Sequence, residues 1–252
     1  MDPQPLNPTH PLHDRVSQRD TILPELPTEV RAIHSGTVLQ ARFSYRVDSQ
    51  LGKGGFGAVF LARCLDWHPD KKDVPPELVA IKVFEAPAGK DPRNFLKREL
   101  SAMLAMKCDR IPQVYDWEVD GPLAFVVMHY YPYGSLVDAS PFGAALSDQA
   151  AWRLLTDLMT ALRVAHANSI LHLDIKPANV LLDGNGGFVL TDFGISQGAN
   201  VSRSIVAPSL GSPGYQAPEQ KNRRFELVDA RTDLWGAAAT VWGMYTGVPL
   251  YL

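Results

Sequence analysis

The stretch Leu51–Phe60 constrains the fold more than any other part of the sequence. It reads LGKGGFGAVF and places Gly52, Gly54 and Gly57 in a G-x-G-x-x-G spacing between two β-rich runs. Glycine lets the backbone lie close to a phosphate group and point N–H groups at it. Because a strand rather than a helix follows, the pattern does not fit a Rossmann fingerprint, and it lacks the G-K-[ST] of a P-loop. The stretch predicts a glycine-rich β-hairpin that lies close to a phosphate. Taken alone this signal is weak, because flexible hairpins that bind no ligand are often rich in glycine as well.

The residues around this hairpin read as a small β-rich lobe. Short apolar runs broken by turn residues predict five strands, and one later stretch has helical periodicity. The expected strands are 43–51, 58–65, 78–84, 114–119 and 123–130, and the expected helix is 92–107. Residues 1–42 differ, because prolines alternate there with polar residues and no period is sustained. We expect that segment to be a flexible tail.

The second half of the chain reads as mainly helical. Ser147 is a suitable N-cap for a helix that runs through Ala167. Short strands are expected at 170–173, 180–182 and 188–191, and a last helix at 232–245. Together the two halves predict an α+β fold.

Composition excludes several other classes of protein. The 252 residues carry a net charge of −3, which gives no reason to expect binding to nucleic acid or to a membrane surface. The two cysteines, Cys64 and Cys108, are too few and too far apart for a disulfide framework or a zinc module. The N-terminus has no apolar signal region, and the apolar stretch 236–245 is too short to span a bilayer. We expect a soluble cytoplasmic protein without a membrane segment.

Two residues of opposite charge occupy apolar patterns in the first lobe. Lys82 lies in the strand-like run VAIK, and Glu99 lies on the apolar face of the expected helix. Burying either charge alone is costly, so each needs a partner. Together Lys82 and Glu99 suggest a buried ion pair, although Lys82 alone could equally extend to solvent from a sheet edge.

The second half contains a series of oxygen donors. Residues 172–179 read HLDIKPAN, residues 192–194 read DFG, and residues 217–219 read APE. Asp174, Asn179 and Asp192 supply the hard oxygen ligands or the base that a Mg²⁺–nucleotide site requires. Each motif alone means little, but their order together with the glycine hairpin and the VAIK run is highly specific.

On these motifs the chain resembles the serine/threonine protein kinases of the eukaryotic-like, Hanks type, most closely the bacterial members. The resemblance covers residues 43–252. It implies a bilobal fold with an N-lobe over about 43–130 and a C-lobe over about 131–252. It also implies ATP with Mg²⁺ or Mn²⁺, and transfer of the γ-phosphate to Ser or Thr hydroxyls of protein substrates.

The resemblance also implies a nucleotide site. Gly52, Gly54 and Gly57 would fold over the phosphates, and Lys82 would hold the α- and β-phosphates while pairing with Glu99. The remaining nucleotide-contacting residues would be Leu51 and Val59 around the adenine, Ala80, Met128 at the gatekeeper position, and His129 and Tyr131 through their backbones.

The catalytic residues follow from the same resemblance. Asp174 would orient the substrate hydroxyl and accept its proton, and Lys176 would neutralise charge on the γ-phosphate. Asn179 and Asp192 would hold the metal ions, and Asp233 would support the catalytic loop from the next helix.

Two departures keep other functions open. Leu173 replaces the arginine that usually receives a phosphorylated residue of the activation segment, so activation by that route is not expected. The last helices of the C-lobe are also missing. The alternative to an active kinase is a nucleotide-binding pseudokinase or an interaction module with little turnover, and a third class is a small-molecule phosphotransferase. The helix 232–245 is apolar on more than one face, so self-association or a partner is expected there.

Overall fold

The structure, a computed structural model, describes residues 33–54, 57–85, 100, 104–120, 123–139, 145–193, 211–248 and 250. The strands are β1 (Val38–Gln40), β2 (Ser44–Gly54), β3 (Gly57–Cys64), β4 (Leu78–Glu85), β5 (Val114–Asp120), β6 (Leu123–His129), β7 (Val180–Leu182) and β8 (Phe188–Leu190). The helices are α1 (Leu136–Ala139), α2 (Asp148–Ala167), α3 (Pro218–Lys221) and α4 (Ala230–Thr246). Among the described residues, short 3₁₀ helices cover Pro177–Asn179 and Phe225–Leu227.

The N-lobe is one antiparallel sheet in the order β1-β2-β3-β4-β6-β5. Along β3, buried and half-buried residues alternate, which is the period of a strand with one core face. Phe60 on β3, Ile81 on β4 and Phe125 on β6 belong to the same buried cluster. The opposite face of the same strands is therefore left to form the wall of a cleft.

A buried polar contact joins the start of β2 to β5. The hydroxyl of Tyr45, which is fully buried, donates to Asp116 Oδ2 at 2.7 Å, and the backbone N–H of Phe43 donates to the same oxygen at 3.1 Å. Burial, followed by the bond to Asp116, raises the pKa of Tyr45. The contact links strands at opposite sides of the sheet order, so the sheet curls around its core.

The C-lobe is organised around α2 and α4. The side chain of Ser147 accepts from the N–H of Ala150 at 3.3 Å, which confirms the expected N-cap. Leu154, Leu158 and Leu162 form a buried stripe at a spacing of four residues and belong to one core cluster. That cluster also contains residues of β7, β8 and α4. Helix α2 contacts both β8 and α4, so it packs against the small second sheet and against the other long helix.

The structure confirms most of the expected elements and contradicts one of the strands. The five predicted N-lobe strands, the strands 180–182 and 188–191 and the helices 148–167 and 232–245 are all present within a few residues. Strand β1 lies before residue 43, where the domain was expected to start: it pairs with β2, and Ile33 is buried in the sheet core. Residues 1–32 and most of the helix 92–107 lie outside the described residues. Within that range Leu100, Leu104 and Ala105 are helical, whereas Met106 and Lys107 are not, so the helical residues end before the expected position 107.

The strand predicted at 170–173 is wrong. Ile170, His172 and Leu173 are buried, which produced the strand-like pattern. The backbone N–H groups of His172 and Leu173 donate to the carboxylate of Asp233 instead of to a neighbouring strand. Leu173 also has a φ of 64°, which no β-strand contains.

One face of α4 is exposed. Ala237 and Met244 are buried in the C-lobe core, whereas Leu234, Trp242 and Tyr245 are 44%, 51% and 46% exposed. The expected self-association at this surface stays a prediction. In the part of the chain that the structure describes, no helix combines the length and the apolar character needed to cross a bilayer.

We expect Tyr45→Phe to lower the free energy of unfolding by about 1–3 kcal/mol, because it removes a donor from the buried Asp116 carboxylate. Urea unfolding measures the change. Ser44→Ala is the matched control, since its hydroxyl donates to the exposed side chain of Gln40, and it should change the stability by less than about 0.5 kcal/mol. Equal effects of the two substitutions would show that the contact to Asp116 does not stabilise the sheet.

Candidate active site

The glycines of the hairpin between β2 and β3 have different surroundings. Gly57 has a φ of 135°, and a Cβ there would overlap the carbonyl oxygen of Val83. At Gly52, by contrast, a Cβ would meet no heavy atom within 4 Å. Gly54 pairs with Gly57 at the end of the hairpin. The fold therefore requires glycine at position 57, whereas the space beside Gly52 is open to a ligand.

The cleft wall is a row of side chains on neighbouring strands. The register places Val59 opposite both Gly52 and Lys82. On the same face, Ala80 is opposite Met128. Because side chains alternate along strands, these residues all point away from the core cluster of the N-lobe. The sheet thus brings together five of the residues that the sequence assigned to nucleotide binding.

Lys82 makes its ion pair with Asp192. The ammonium group donates to Asp192 Oδ1, and the two residues are 110 positions apart in the chain. The charge of Lys82 is the main cause of a lowered pKa of Asp192. Asp192 also has a φ of 72°, in the left-handed region. The predicted pair of Lys82 with Glu99 is not tested, because Glu99 lies outside the described residues.

Aromatic rings line the connection between the two lobes. The hydroxyl of Tyr115 lies 2.8 Å from Nδ1 of His129, and the rings of His129 and Tyr131 meet edge to face at 4.8 Å. Burial lowers the pKa of His129 and raises that of Tyr131 to about 12. Both rings are therefore uncharged near neutral pH. Leu51, at the mouth of the cleft, is 45% exposed.

The buried carboxylate of Asp233 holds the loop that leads to Asp174. Asp233 accepts from the N–H of His172 at 2.9 Å and from the N–H of Leu173 at 2.7 Å. Its Oδ2 also lies 2.8 Å from Nε2 of His166 on α2. Leu173 keeps a left-handed φ of 64°, which is unfavourable for leucine, so these bonds offset a local strain.

Asp174, Lys176 and Ser212 form a compact cluster directly after this loop. Lys176 Nζ donates to Asp174 Oδ2 at 2.8 Å and to Ser212 Oγ at 2.6 Å. The hydroxyl of Ser212 in turn donates to Asp174 Oδ1 at 2.9 Å. The amide of Asn179 donates to the carbonyl of Asp174 at 2.8 Å. A carboxylate and a cation are therefore held side by side at the edge of the cleft.

The donor set fits a magnesium ion that a nucleotide shares. The described residues contain no group of three or more His, Cys, Asp or Glu side chains that would hold a metal alone. Magnesium is commonly bound by one or two protein oxygens together with substrate phosphates. Asp192 supplies a carboxylate, and the amide oxygen of Asn179 accepts no hydrogen bond from a described residue. The chemistry of these two groups matches that kind of shared site.

Family comparison agrees with this geometry. The family model for the protein kinase domain matches residues 45–252. The chain belongs to the protein kinase domain family. Among its curated relatives, the serine/threonine-protein kinase PknB of Mycobacterium leprae is 32% identical over 216 residues, which are 82% of this chain and 33% of that protein. PknB of Mycobacterium tuberculosis strain H37Rv is 33% identical over 214 residues, 81% of this chain and 33% of that protein.

A plant relative is more distant. The CBL-interacting protein kinase 21 of Oryza sativa is 27% identical over 246 residues, 94% of this chain and 43% of that protein. The chain therefore spans about one third of the length of its bacterial relatives and less than half of the plant kinase. Its resemblance to bacterial serine/threonine kinases of the Hanks type, expected from the motifs, is confirmed.

One residue of this kinase domain escaped the sequence analysis. The side chain of Gln220 is 5% exposed, donates to the carbonyl of Leu173 at 2.8 Å and accepts from the N–H of Ala217 at 3.0 Å. Gln220 thus ties the segment around the APE motif to the residue before Asp174. A polar residue directly after a motif carries no periodic signal, so only the three-dimensional contact reveals it.

We expect Gly52→Ala and Gly57→Ala to have opposite consequences. Gly52→Ala should leave the thermal stability nearly unchanged but weaken nucleotide binding, because its methyl group enters the open space. Gly57→Ala should destabilise the chain, because the methyl group overlaps the backbone of Val83 at a strained φ. Melting curves without nucleotide, together with nucleotide titrations, measure both effects. If Gly52→Ala binds nucleotide with the same affinity as the wild type, the phosphates do not bind beside Gly52.

Proposed function

We propose that this chain transfers the γ-phosphate of ATP to serine or threonine hydroxyls of protein substrates. The observation that carries the proposal is the cluster of Asp174, Lys176 and Ser212, in which a carboxylate and an ammonium group are fixed 2.8 Å apart at the cleft. A module that only binds nucleotide has no need of such a pair. Phosphoryl transfer to a hydroxyl needs both groups: the carboxylate for the acceptor hydroxyl and the ammonium group for the phosphate that is transferred.

For phosphoryl transfer the protein mainly has to position the reacting groups and neutralise their charge. Magnesium–ATP, when bound, supplies the phosphoryl group and part of the positive charge. Lys82 would hold the α- and β-phosphates, and Asn179 and Asp192 would hold the metal. Lys82 and Asp192 already lie side by side in the structure, so the phosphate and metal ligands face one site. The pairing of Lys82 with Glu99 remains part of the proposal.

Asp174 and Lys176 would act on the acceptor side. Asp174 orients the incoming hydroxyl and accepts its proton as the bond to phosphorus forms. Lys176 neutralises charge on the transferred group, and its contact with Ser212 keeps it next to the carboxylate. Electrostatic preorganisation of this kind is the largest contribution that most active sites make to rate.

The adenine end of the proposed site is formed by the cleft wall and the connection between the lobes. Val59, Ala80 and Met128 would contact the base, with Leu51 at the mouth. The backbones of His129 and Tyr131 would hydrogen-bond the adenine. The backbone N–H of Tyr131 makes no hydrogen bond to a described residue, which leaves this donor for a ligand.

The relatives support the class of acceptor. The printed names of the bacterial relatives are serine/threonine-protein kinase, and the lysine two residues after Asp174 resembles that group rather than tyrosine kinases. The cytoplasm, where ATP is supplied and thiols stay reduced, suits an enzyme whose Cys64 and Cys108 are both free. Protein substrates and ATP are the proposed partners.

We expect Lys82→Met and Asp174→Asn to abolish phosphoryl transfer in different ways. Lys82→Met removes the cation for the phosphates, so both binding and transfer should fall. Asp174→Asn removes the hydroxyl-orienting carboxylate, so transfer should fall while nucleotide affinity stays within about threefold, under roughly 0.7 kcal/mol. Incubation with labelled ATP, Mg²⁺ and a generic basic protein substrate measures transfer, and a nucleotide titration measures binding.

Two outcomes would contradict the proposal. Turnover by Asp174→Asn at the wild-type rate would remove the proposed role of that carboxylate. Nucleotide binding by the wild-type chain without any transfer would favour the alternative, a nucleotide-binding pseudokinase.

We expect activity to depend only weakly on phosphorylation between Asp192 and Glu219. Leu173 is 5% exposed and has no charge to pair with a phosphate, and Gln220 and Ser212 already tie that segment to the catalytic loop. Alanine at Ser202, Ser204 and Ser209, which lie outside the described residues, removes the candidate sites. A loss of activity approaching a hundredfold, about 2.7 kcal/mol of barrier, would contradict this expectation.

A further inference from the structure

Four charged side chains form a network behind the hairpin of β7 and β8. Arg110 lies between two carboxylates, with Nε 3.3 Å from Asp157 Oδ1 and Nη1 2.9 Å from Asp183 Oδ2. Arg153 on α2 contacts the other oxygen of Asp157, Nε to Oδ2, at 2.9 Å. Two cations and two anions balance, as is needed where three of the four side chains, all but Arg153, are at most 20% exposed.

The two cations of this network are not equivalent. The side chain of Arg110 is 20% exposed, whereas that of Arg153 is 47% exposed. Solvent screens an exposed ion pair, so Arg153 contributes little, while Arg110 compensates charges that lie away from water. Arg110 is therefore the inner cation, and Arg153 offers a natural comparison in the same network.

The carboxylates bind the backbone of the turn between β7 and β8. Asp157 Oδ2 accepts from the N–H of Phe188 at 2.9 Å. Asp183 Oδ1 accepts from the N–H groups of Asn185 and Gly187, each at 2.8 Å. Three backbone donors, two in the turn and one at the first residue of β8, thus bind the two side chains that Arg110 holds.

The packing around Arg110 is close. A Cβ at Gly187 would overlap both the Asp183 carboxylate and the Arg110 guanidinium. Burial raises the pKa of Asp183, but the N–H groups of Asn185 and Gly187 and the guanidinium of Arg110 outweigh it, so the pKa is lowered. The carbonyl of Arg110 also accepts from the N–H of Leu190 on β8 at 2.9 Å. Arg110 therefore holds the hairpin through both its side chain and its backbone.

The opposite end of the same hairpin carries the two metal-ligand candidates. Asn179 directly precedes β7, and Asp192 follows the end of β8 by two residues. The N–H of Thr191 donates to the carbonyl of Asn179 at 2.9 Å and closes that end. Each strand has only three residues, about 10 Å. A shift of the turn therefore also shifts the two metal-ligand candidates, Asn179 and Asp192, at the other end of the hairpin.

We propose that Arg110 is a positioning residue that sets the geometry of Asn179 and Asp192 for metal binding, acting through Asp157 and Asp183. It contacts neither ligand side chain. The inference rests on the proposed function, because it assumes that these two residues hold the metal of a metal–nucleotide complex. Groups that orient metal ligands from behind typically change metal affinity by about 10–100-fold when they are removed.

The test is Arg110→Met in the full chain. A fluorescent ADP analogue is titrated once with Mg²⁺ and once with EDTA, and melting without nucleotide shows that the variant is folded. We expect the affinity in EDTA to stay within about twofold of wild type, and the gain in affinity on adding Mg²⁺ to shrink about tenfold or more. A general structural defect would lower both affinities together.

Three further variants sharpen the result. Arg153→Met removes the outer cation and should keep the full Mg²⁺-dependent gain. Arg110→Lys should restore only part of it, since an ammonium group cannot reach two carboxylates as the guanidinium fork does. Asp183→Asn keeps an oxygen for the turn but loses the charge. Asp183→Asn should also reduce the gain in affinity that Mg²⁺ gives, and it replaces Arg110→Met as the test if that variant does not fold.

The outcomes separate this inference from the proposed function. An unchanged Mg²⁺-dependent gain in Arg110→Met, or an equal loss in Arg153→Met, would overturn the positioning role alone. A wild-type chain that binds the ADP analogue without any gain from Mg²⁺ would overturn the proposed function and the positioning role together.

Discussion

The carboxylate of Asp233 is the interaction on which the active-site geometry depends. It is buried in α4, and it accepts the backbone N–H groups of His172 and Leu173 while facing His166. Burying this carboxylate without hydrogen-bond partners would cost free energy. The N–H groups of the loop provide those partners, and the same hydrogen bonds hold the loop in place. The left-handed φ of Leu173 turns the chain there. Because of that turn, Asp174 points to the cleft instead of continuing a strand.

The two lobes meet through charges that come from distant parts of the chain. Lys82 on β4 and Asp192 after β8 form one pair, and Arg110 before β5 and Asp183 after β7 form another. Both pairs involve residues at or near the β7–β8 hairpin, one at its open end and one at its turn. The three-residue strands between them are too short to be stable alone, so contacts at both ends define where the hairpin lies.

The sequence predicted the parts of the site that depend on local pattern. The glycine spacing, the strand alternation and the cap at Ser147 are read within a few residues, and each has a local physical cause. Contacts across long separations have no such local signal, and the support of the loop by Asp233 was expected from the family resemblance alone. Arg110 and Asp183 are 73 residues apart, and Leu173 and Asp233 are 60. The buried run at 170–173 looked like a strand because burial alone does not reveal where backbone N–H groups donate. β1 was missed because it follows a proline-rich stretch.

The position of β1 has a consequence for how this domain is delimited. The family match begins at residue 45, whereas β1 covers Val38–Gln40 and Ile33 lies in the sheet core. A fragment cut at the family boundary would lose the strand that pairs with β2, and with it Phe43, whose N–H donates to Asp116. Strand β2, which leads into the glycine hairpin, would then become the bare edge of the sheet. Open edges pair with strands of other molecules, so such a fragment would be prone to aggregate for a reason unrelated to the residues of the proposed active site.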